Sequence, residues 1–371
     1  MDTRKILVIG GGIGGLTAAI ALRARAFSVD VIEKDPDWTV YGVGIIQQAN
    51  VVRAVAQLGI LDDYVEAGCP FEHIEVYVPS GQRVARIPAP RLAEGYPANV
   101  GIGRPALHKV LGDRAKVAGA HIRLGVTATQ MIDNGDGVDV QFSDGSGGRY
   151  DIVVGADGLY SETRARLFPS APVPQFQGQG VWRYNFAKPA EMDSLCVFEG
   201  PMGLGLVPLS PTQMYMFATT PEPGNPWYPT EGLAATMRDK LRPMVAPQIQ
   251  ALAEQITDDE AVVYKPLEAL FLDGPWHKGR VVLLGDAVHA TTPHLGQGAG
   301  LAIEDSLVLA DELARHDDIE QAFAAYRGRR FERCKYIVDA SLRICAAQVA
   351  GEHVDQSGPT REMFEVVARP I

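Results

Sequence analysis

The chain has 371 residues, 46 % of them hydrophobic, and carries 34 Lys and Arg against 45 Asp and Glu, a formal net charge of −11. This balance supports a sizeable core and, with no run of Lys or Arg, excludes the basic face that nucleic-acid binding needs. No apolar run approaches the roughly 18 residues of a membrane span, and the length accommodates a cofactor domain plus a second, smaller one.

Lys5–Ile9 reads as the first strand, starting so early that no signal peptide is expected. Gly10-Gly11-Gly12-Ile13-Gly14-Gly15 then satisfies G-x-G-x-x-G, and Leu16–Arg25 carries helical spacing. Gly10 permits the tight turn, Gly12 lets a pyrophosphate approach the backbone, and Gly15 lets helix and strand pack closely. Val29–Ile32 is the second strand, and Glu33 ends it at the distance expected of a ribose-binding carboxylate. A lone glycine fingerprint is weak. The strand before it, the helix after it and Glu33 downstream together make a dinucleotide site.

Gln48–Gly59 follows as a helix with Val51, Val55 and Leu58 on one face. His73–Val78 and Arg83–Ile87 read as a hairpin around Pro79-Ser80-Gly81. Pro105–Val117 returns to helix, and His121–Leu124, Val138–Phe142 and Asp151–Val154 to strands. Asp157-Gly158 comes after the apolar run DIVVGA and before the helix-like Ser161–Leu167. An Asp-Gly pair alone is an ordinary turn, but this position between cofactor motifs marks it as a site.

From Pro172 to Leu267 the strands Val181–Phe186, Leu195–Phe198, Gly203–Pro208 and Gln213–Thr219 succeed one another with Pro/Gly turns, predicting a mostly antiparallel sheet. Helices near Glu231–Leu241 and Pro247–Gln255 should cover one face of it. Val281–Leu284 is a buried parallel strand ended by Gly285. Asp286 then stands at the strand's carboxyl end, where open α/β sheets bind ligands. Pro293, Gly296, Gly298 and Gly300 form a turn small enough for backbone to approach a flat ligand. A helix from about Ala299 to His316 would aim free N–H groups at it. Ile319–Gln348 is the last predicted helix, and Asp317-Asp318 marks a solvated helix end. Cys69, Cys196, Cys334 and Cys345 lack C-x-x-C spacing and read as reduced thiols of a cytoplasmic protein. The eight histidines lack paired metal-ligand spacing, so no metal is expected.

These three motifs, in this order, resemble the single-component flavoprotein aromatic hydroxylases of the p-hydroxybenzoate hydroxylase type, from Lys5 to about Ala340. The look is that of the short bacterial members acting on salicylate, urate, hydroxynicotinate or alkylquinolones. The resemblance implies an α/β fold: a Rossmann-type FAD-binding domain (1–70, 100–170 and 275–371, with C-terminal helices) and an inserted, mostly antiparallel substrate domain (71–99 and 171–274). It assigns Gly10, Gly12, Ile13, Gly14, Gly15, Glu33 and Lys34 to the AMP half of FAD, and Arg104 to the flavin's middle. Asp157 would serve both FAD and NAD(P)H. Gly285 and Asp286 would hold the ribityl chain, and Pro293, Gly296, Gln297 and Gly298 would run beside the isoalloxazine ring. Many members carry a basic residue where Val40 stands, which puts one expected cofactor contact in doubt.

The implied activity is FAD-dependent monooxygenation: NAD(P)H reduces the flavin, dioxygen is trapped as a C4a-hydroperoxyflavin, and a small aromatic or heteroaromatic ring is hydroxylated. A flavin oxidase or dehydrogenase of similar fold, or a non-catalytic flavin- or ligand-binding relative, is the alternative. Such chemistry needs a closed apolar pocket, because water destroys the oxygen adduct. The candidate floor is Trp182, Arg183, Leu204 and Tyr215, with Ile46 and His294 at the rim. Core packing competes for Tyr215, a salt bridge for Arg183, and a satisfied structural role for His289. Substrate identity, NADH versus NADPH, and monomer versus homodimer stay open.

Overall fold

The structure is a computed structural model and describes residues 4–40, 42–352 and 357–371. Its centre is a six-stranded sheet in the order His277–Lys278, Val281–Leu283, Ile152–Gly155, Lys5–Ile9, Ser28–Glu33, His121–Leu124. All neighbours are parallel except the His277–Lys278 edge. The inner strands are continuous apolar runs because both faces are covered. On one face the helices Ile13–Arg23 and Gly298–Arg315 bury Leu16, Ile20, Leu301 and Leu309 against Ile6 and Val8.

The other face carries Leu7, Ile9 and Val153 under a three-stranded antiparallel sheet, Ala128–Asp133, Val138–Phe142 and Gly147–Tyr150. Val138, Val140 and Phe142 alternate inward with exposed residues between them, the signature of a half-buried strand. Only Val138–Phe142 of this cover was legible in advance.

The second large sheet has seven strands, in the order Val263–Ala269, Gln175–Ala187, Gln213–Pro221, Gly203–Pro208, Ser194–Phe198, His73–Tyr77, Arg83–Pro88. It is antiparallel throughout except where Ser194–Phe198 meets His73–Tyr77. The hairpin near residue 80 therefore belongs to this sheet, far from its neighbours in sequence. Helices Leu233–Leu241 and Pro247–Ala253 seal one face, over Trp182, Tyr184, Met214 and Met216. A small sheet of Gly44–Gln47, Asn99–Gly103 and Cys69–Phe71, unforeseen from the sequence, lies between the two large ones in the chain.

The 31-residue helix Ile319–Val349 opens on Asp318, whose carboxylate accepts from the Glu320 and Gln321 amides. A further helix, Ser357–Ala368, had no prediction. Among the described residues no helix is long and apolar enough to cross a membrane.

Candidate active site

A cavity of about 1710 Å³ runs from the glycine turn after the first strand to the uncovered face of the seven-stranded sheet. Single ligand pockets usually hold roughly 300–1,000 Å³, so this one has room for a large cofactor and a second molecule.

Its first wall is the glycine turn. Gly10 adopts φ 109°, and a Cβ there would lie 2.4 Å from the Ala156 carbonyl oxygen. A Cβ on Gly15 would lie 1.9 Å from the Gly10 carbonyl oxygen, so the helix can sit this close to the strand only with glycine. Gly12 differs: a Cβ would meet nothing within 4 Å. It lines the cavity with Ile13 and Gly14, where the first helix's free N–H groups emerge. This open cradle fits a pyrophosphate.

Glu33 acts behind the cradle. Its Oε2 accepts from the Gly11 amide at 2.7 Å and its Oε1 from the Asp35 amide at 2.9 Å. The Gly11 carbonyl receives Trp38 Nε1 at 2.9 Å and lies 3.0 Å from His108 Nε2. Thus Glu33 shapes the turn from behind and, like Lys34, is not among the residues that line the cavity. Lys34 is exposed to solvent rather than to the cavity. The Asp157 carboxylate is engaged locally, accepting from Ser161 Oγ at 2.5 Å and from the Thr163 amide and hydroxyl at 2.9 Å each. It fixes the start of helix Glu162–Leu167, and Gly158 and Leu159 line the cavity in its place.

The strand Val281–Leu283 delivers Gly285 and Asp286. Gly285 sits at φ 63°, and Asp286 after it lines the cavity with its surface open to that space. The protein walls around the cavity desolvate its carboxyl and raise its pKa, with the charges of His289 and Arg104 opposing. A wholly buried ionic network stands behind it. Asp305 Oδ2 accepts from the Gly285 amide at 3.0 Å and pairs with His289 Nε2 at 2.6 Å, while Oδ1 takes Arg330 Nε at 2.7 Å. Arg330 reaches on to Glu304 at 2.7 Å, which also receives Arg333 and Asn50.

Burial works against charge on Asp305, yet His289 and Arg330 hold its carboxyl far below the usual range. Burial likewise opposes charge on His289, but Cys334 and Asp305 outweigh it and raise its pKa. His289, Asp305 and Cys334 bring ligand atoms within 4.8 Å of one another. Arg330 already sits on both Asp305 Oδ1 and Cys334 Sγ, so a cation occupies the position a metal would take.

The turn 293–298 forms a further wall of the cavity. Pro293, Gly296 and Gly298 line the cavity, and Gly296 has φ 65°. Gln297 does not line it. Its side chain is fully buried, exchanging hydrogen bonds with Asn50 (3.0 and 3.1 Å) and donating to Gln48 Oε1. Gln297 thus anchors the turn from behind.

The sheet face opposite separates the floor candidates. Strand alternation sends Trp182 and Leu204 to the helix-covered side. Trp182 is fully buried there, its Nε1 donating to Thr220 at 2.9 Å and its ring against Tyr228 and Tyr264. Leu204 packs in the same cluster and also borders the cavity. The Trp182 side chain is therefore not a floor residue, and Leu204 contributes chiefly to the core.

Arg183 and Tyr215 do face the cavity. Among the described residues neither the Arg183 nor the Arg104 side chain has a hydrogen bond or ion pair, so the salt bridge weighed for Arg183 does not form. Burial brings the Arg183 pKa down to about 10, with Tyr215 opposing and the nearby Arg104 charge adding to the effect. Burial raises the Tyr215 pKa against the pull of both arginines. Ile46 is half-buried on the wall beside Tyr215.

His294 belongs to a polar corner that sequence reasoning missed. Its Nδ1 lies 3.0 Å from Thr292 Oγ1, and its Nε2 lies 3.0 Å from Gln179 Oε1 and 3.2 Å from Gln348 Oε1. Burial lowers its pKa to about 4, with Gln348 opposing. The ring is therefore neutral near pH 7, with Nε2–H the donor. Gln179 and Gln348 are 169 residues apart, and no local pattern announces their meeting.

Comparison with known proteins agrees with this geometry. The family model described as FAD binding domain matches residues 3–341. The chain belongs to this family. It is 32 % identical over 354 residues to the aurachin C monooxygenase/isomerase of Stigmatella aurantiaca, covering 91 % of this chain and 88 % of that protein. Against the FAD-dependent urate hydroxylase of Klebsiella pneumoniae it is 30 % identical over 360 residues, covering 92 % and 89 %. The solved structure of Klebsiella pneumoniae HpxO complexed with FAD and uric acid matches with TM-score 0.85 at 26 % identity, over 98 % of this chain and 92 % of that one. In this FAD-dependent monooxygenase the glycine turn and the uncovered sheet face border one continuous cavity.

Proposed function

We propose that this FAD-dependent monooxygenase consumes NAD(P)H and dioxygen to hydroxylate a planar, anionic aromatic or heteroaromatic ring. The observation that carries this reading is the pair Arg104 and Arg183, unpartnered among the described residues and facing the same cavity as the cradle and Asp286. A half-buried cation without a protein partner favours an anionic ligand, and a planar anion matches the guanidinium fork. The urate and hydroxynicotinate enzymes among the relatives are named for substrates of this kind.

Bound FAD would supply the acceptance of electrons from NAD(P)H and the activation of dioxygen. The chain's own part is placement. Gly12–Gly14 would receive the pyrophosphate, Asp286 a ribityl hydroxyl, and the turn 293–298 the flavin ring. Arg183 would fix the ring's anionic group. Tyr215, kept protonated by its raised pKa, would donate its hydroxyl proton in a hydrogen bond to a ring oxygen. His294, its Nε2–H engaged by Gln179 and Gln348, would stand as a neutral wall at the rim without taking a proton. In this arrangement residues 1–70, 100–170 and 275–371 serve the cofactor, and 71–99 and 171–274 the substrate.

A panel of aromatic acids and N-heterocycles, screened for stimulation of NAD(P)H oxidation by the holoenzyme, tests the reading. Anionic rings should stimulate and their neutral isosteres should not. Equal stimulation by both, or by neither, would contradict it.

A further inference from the structure

The cavity continues well past Arg183, and its continuation is apolar. Two rows of registered residues cross the seven-stranded sheet on the cavity side. In the first, Arg183 pairs with Phe217, Phe217 with Gly205, Gly205 with Val197, and Val197 with Val76. In the second, Tyr215 pairs with Val207, and beyond the next strand boundary Leu195 pairs with Ile74 and Ile74 with Ile87.

Phe217, Val197, Val76, Leu195, Ile74 and Ile87 all line the cavity. None is sealed in a core: the first five are half-buried and Ile87 is 50 % exposed. Gly205 interrupts the first row, and a Cβ there would lie 2.6 Å from the Phe217 ring. The Phe217 ring fills that gap, keeping the floor level. At about 4.8 Å between strands, Phe217 to Val76 spans roughly 14 Å, far longer than a single ring needs. Met363 and Phe364 of the helix Ser357–Ala368 line the same cavity.

We infer that the substrate carries an apolar arm several carbons long, laid along this strip with its anionic ring held at Arg183. This rests on the proposed anionic-ring reading and deepens it. The continuity of the strip with the cation pair argues for one occupant spanning both, with the polar group at the Arg183 end and the arm running toward Ile87. No charged side chain of these two rows intervenes between Phe217 and Ile87.

Straight-chain fatty acids from butanoate to dodecanoate probe the strip without requiring turnover. Titrated against the holoenzyme and read by perturbation of the flavin spectrum, their affinity should rise about fourfold per added methylene until the strip is filled. Val197→Thr with Val76→Thr keeps side-chain size and should flatten that rise, while FAD content and melting temperature certify folding. An affinity independent of chain length, in a series whose short members still perturb the flavin, would overturn the inference and leave the anionic-ring reading standing. If no acid in the series and no aromatic acid perturbs the flavin, the anionic-ring reading falls and the arm with it. A dimer that the double variant dissociates, together with a flat series, would show that a second copy covers the strip and would equally overturn the proposal.

Discussion

The Asp305 carboxylate, wholly buried on the helix Gly298–Arg315, accepts a 3.0 Å hydrogen bond from the Gly285 amide. The residue that presents Asp286 to the cavity is thus fixed from behind by an ion-pair network that never touches the cavity. Asp305→Asn removes the charge facing His289 and Arg330, and breaking a buried pair costs about 3–5 kcal/mol. Melting temperature should fall sharply, and FAD titration should show weaker binding at temperatures where the variant is folded.

The same pair gives a pH signature. The Asp305 pKa is depressed on folding, so its stabilisation is present above the unfolded value of about 3.9 and is lost on further acidification. The His289 pKa is raised, so its contribution is full below about 6.5 and fades only as alkaline pH approaches its folded value. The melting-temperature gap between wild type and Asp305→Asn should be widest around pH 5–6. It should narrow toward pH 2 and toward strongly alkaline pH. A gap constant from pH 2 to 10 would contradict the ion pair.

Two glycines of the cradle should fail in different ways. Gly15→Ala drives a Cβ into the Gly10 carbonyl, so the apoprotein itself should lose stability, by about 1–3 kcal/mol or more. Gly12→Ala meets no protein atom within 4 Å and should leave apoprotein melting nearly unchanged. Its methyl group would stand where the pyrophosphate approaches, weakening FAD by about tenfold, or 1.4 kcal/mol. Apoprotein melting and FAD titration on both variants separate the two effects.

On the sheet floor, Arg183→Ala and Tyr215→Phe should retain FAD while misplacing the ring. A displacement of about 1 Å can cost roughly a hundredfold in rate. NAD(P)H oxidation should then continue with more hydrogen peroxide and less product per reductant. Trp182→Ala should instead destabilise the protein by about 3–5 kcal/mol, because its indole fills the core on the opposite face. Peroxide yield and melting temperature together tell the two faces apart.

His294, with its pKa lowered to about 4, should contribute no ionisation to kcat/KM between pH 5.5 and 8. The pH profiles of wild type and His294→Asn should share their shape over that window, whatever their heights. A limb near pH 6.5 that disappears in the variant would assign His294 a proton-transfer role instead.

Much of this architecture was legible in the chain. Lys5–Ile9 and Val281–Leu283 are continuous apolar runs because parallel strands are covered on both faces, and the glycine turn announces itself by spacing. Side-chain direction was less legible. Asp157 carries a cofactor motif's identity, but Ser161 and Thr163 supply the partners of a helix start, a local pattern that favoured capping. Trp182 and Arg183 are adjacent in sequence, and strand alternation sends them to opposite faces. Gln297 turns inward because Gln48 and Asn50, 249 and 247 residues away, await it. The small sheet and the His294 corner rest on similarly distant pairings that no window of sequence contains.

The most direct measurement is isotopic. With a substrate found by the anionic-ring screen, the holoenzyme is turned over with NAD(P)H under heavy dioxygen in ordinary water, and the product is weighed. One labelled oxygen atom should appear in each product molecule, added to the ring. An oxidised product without label would contradict oxygen insertion at this site, whether the enzyme acts on this substrate as an oxidase or dehydrogenase or the added oxygen comes from water.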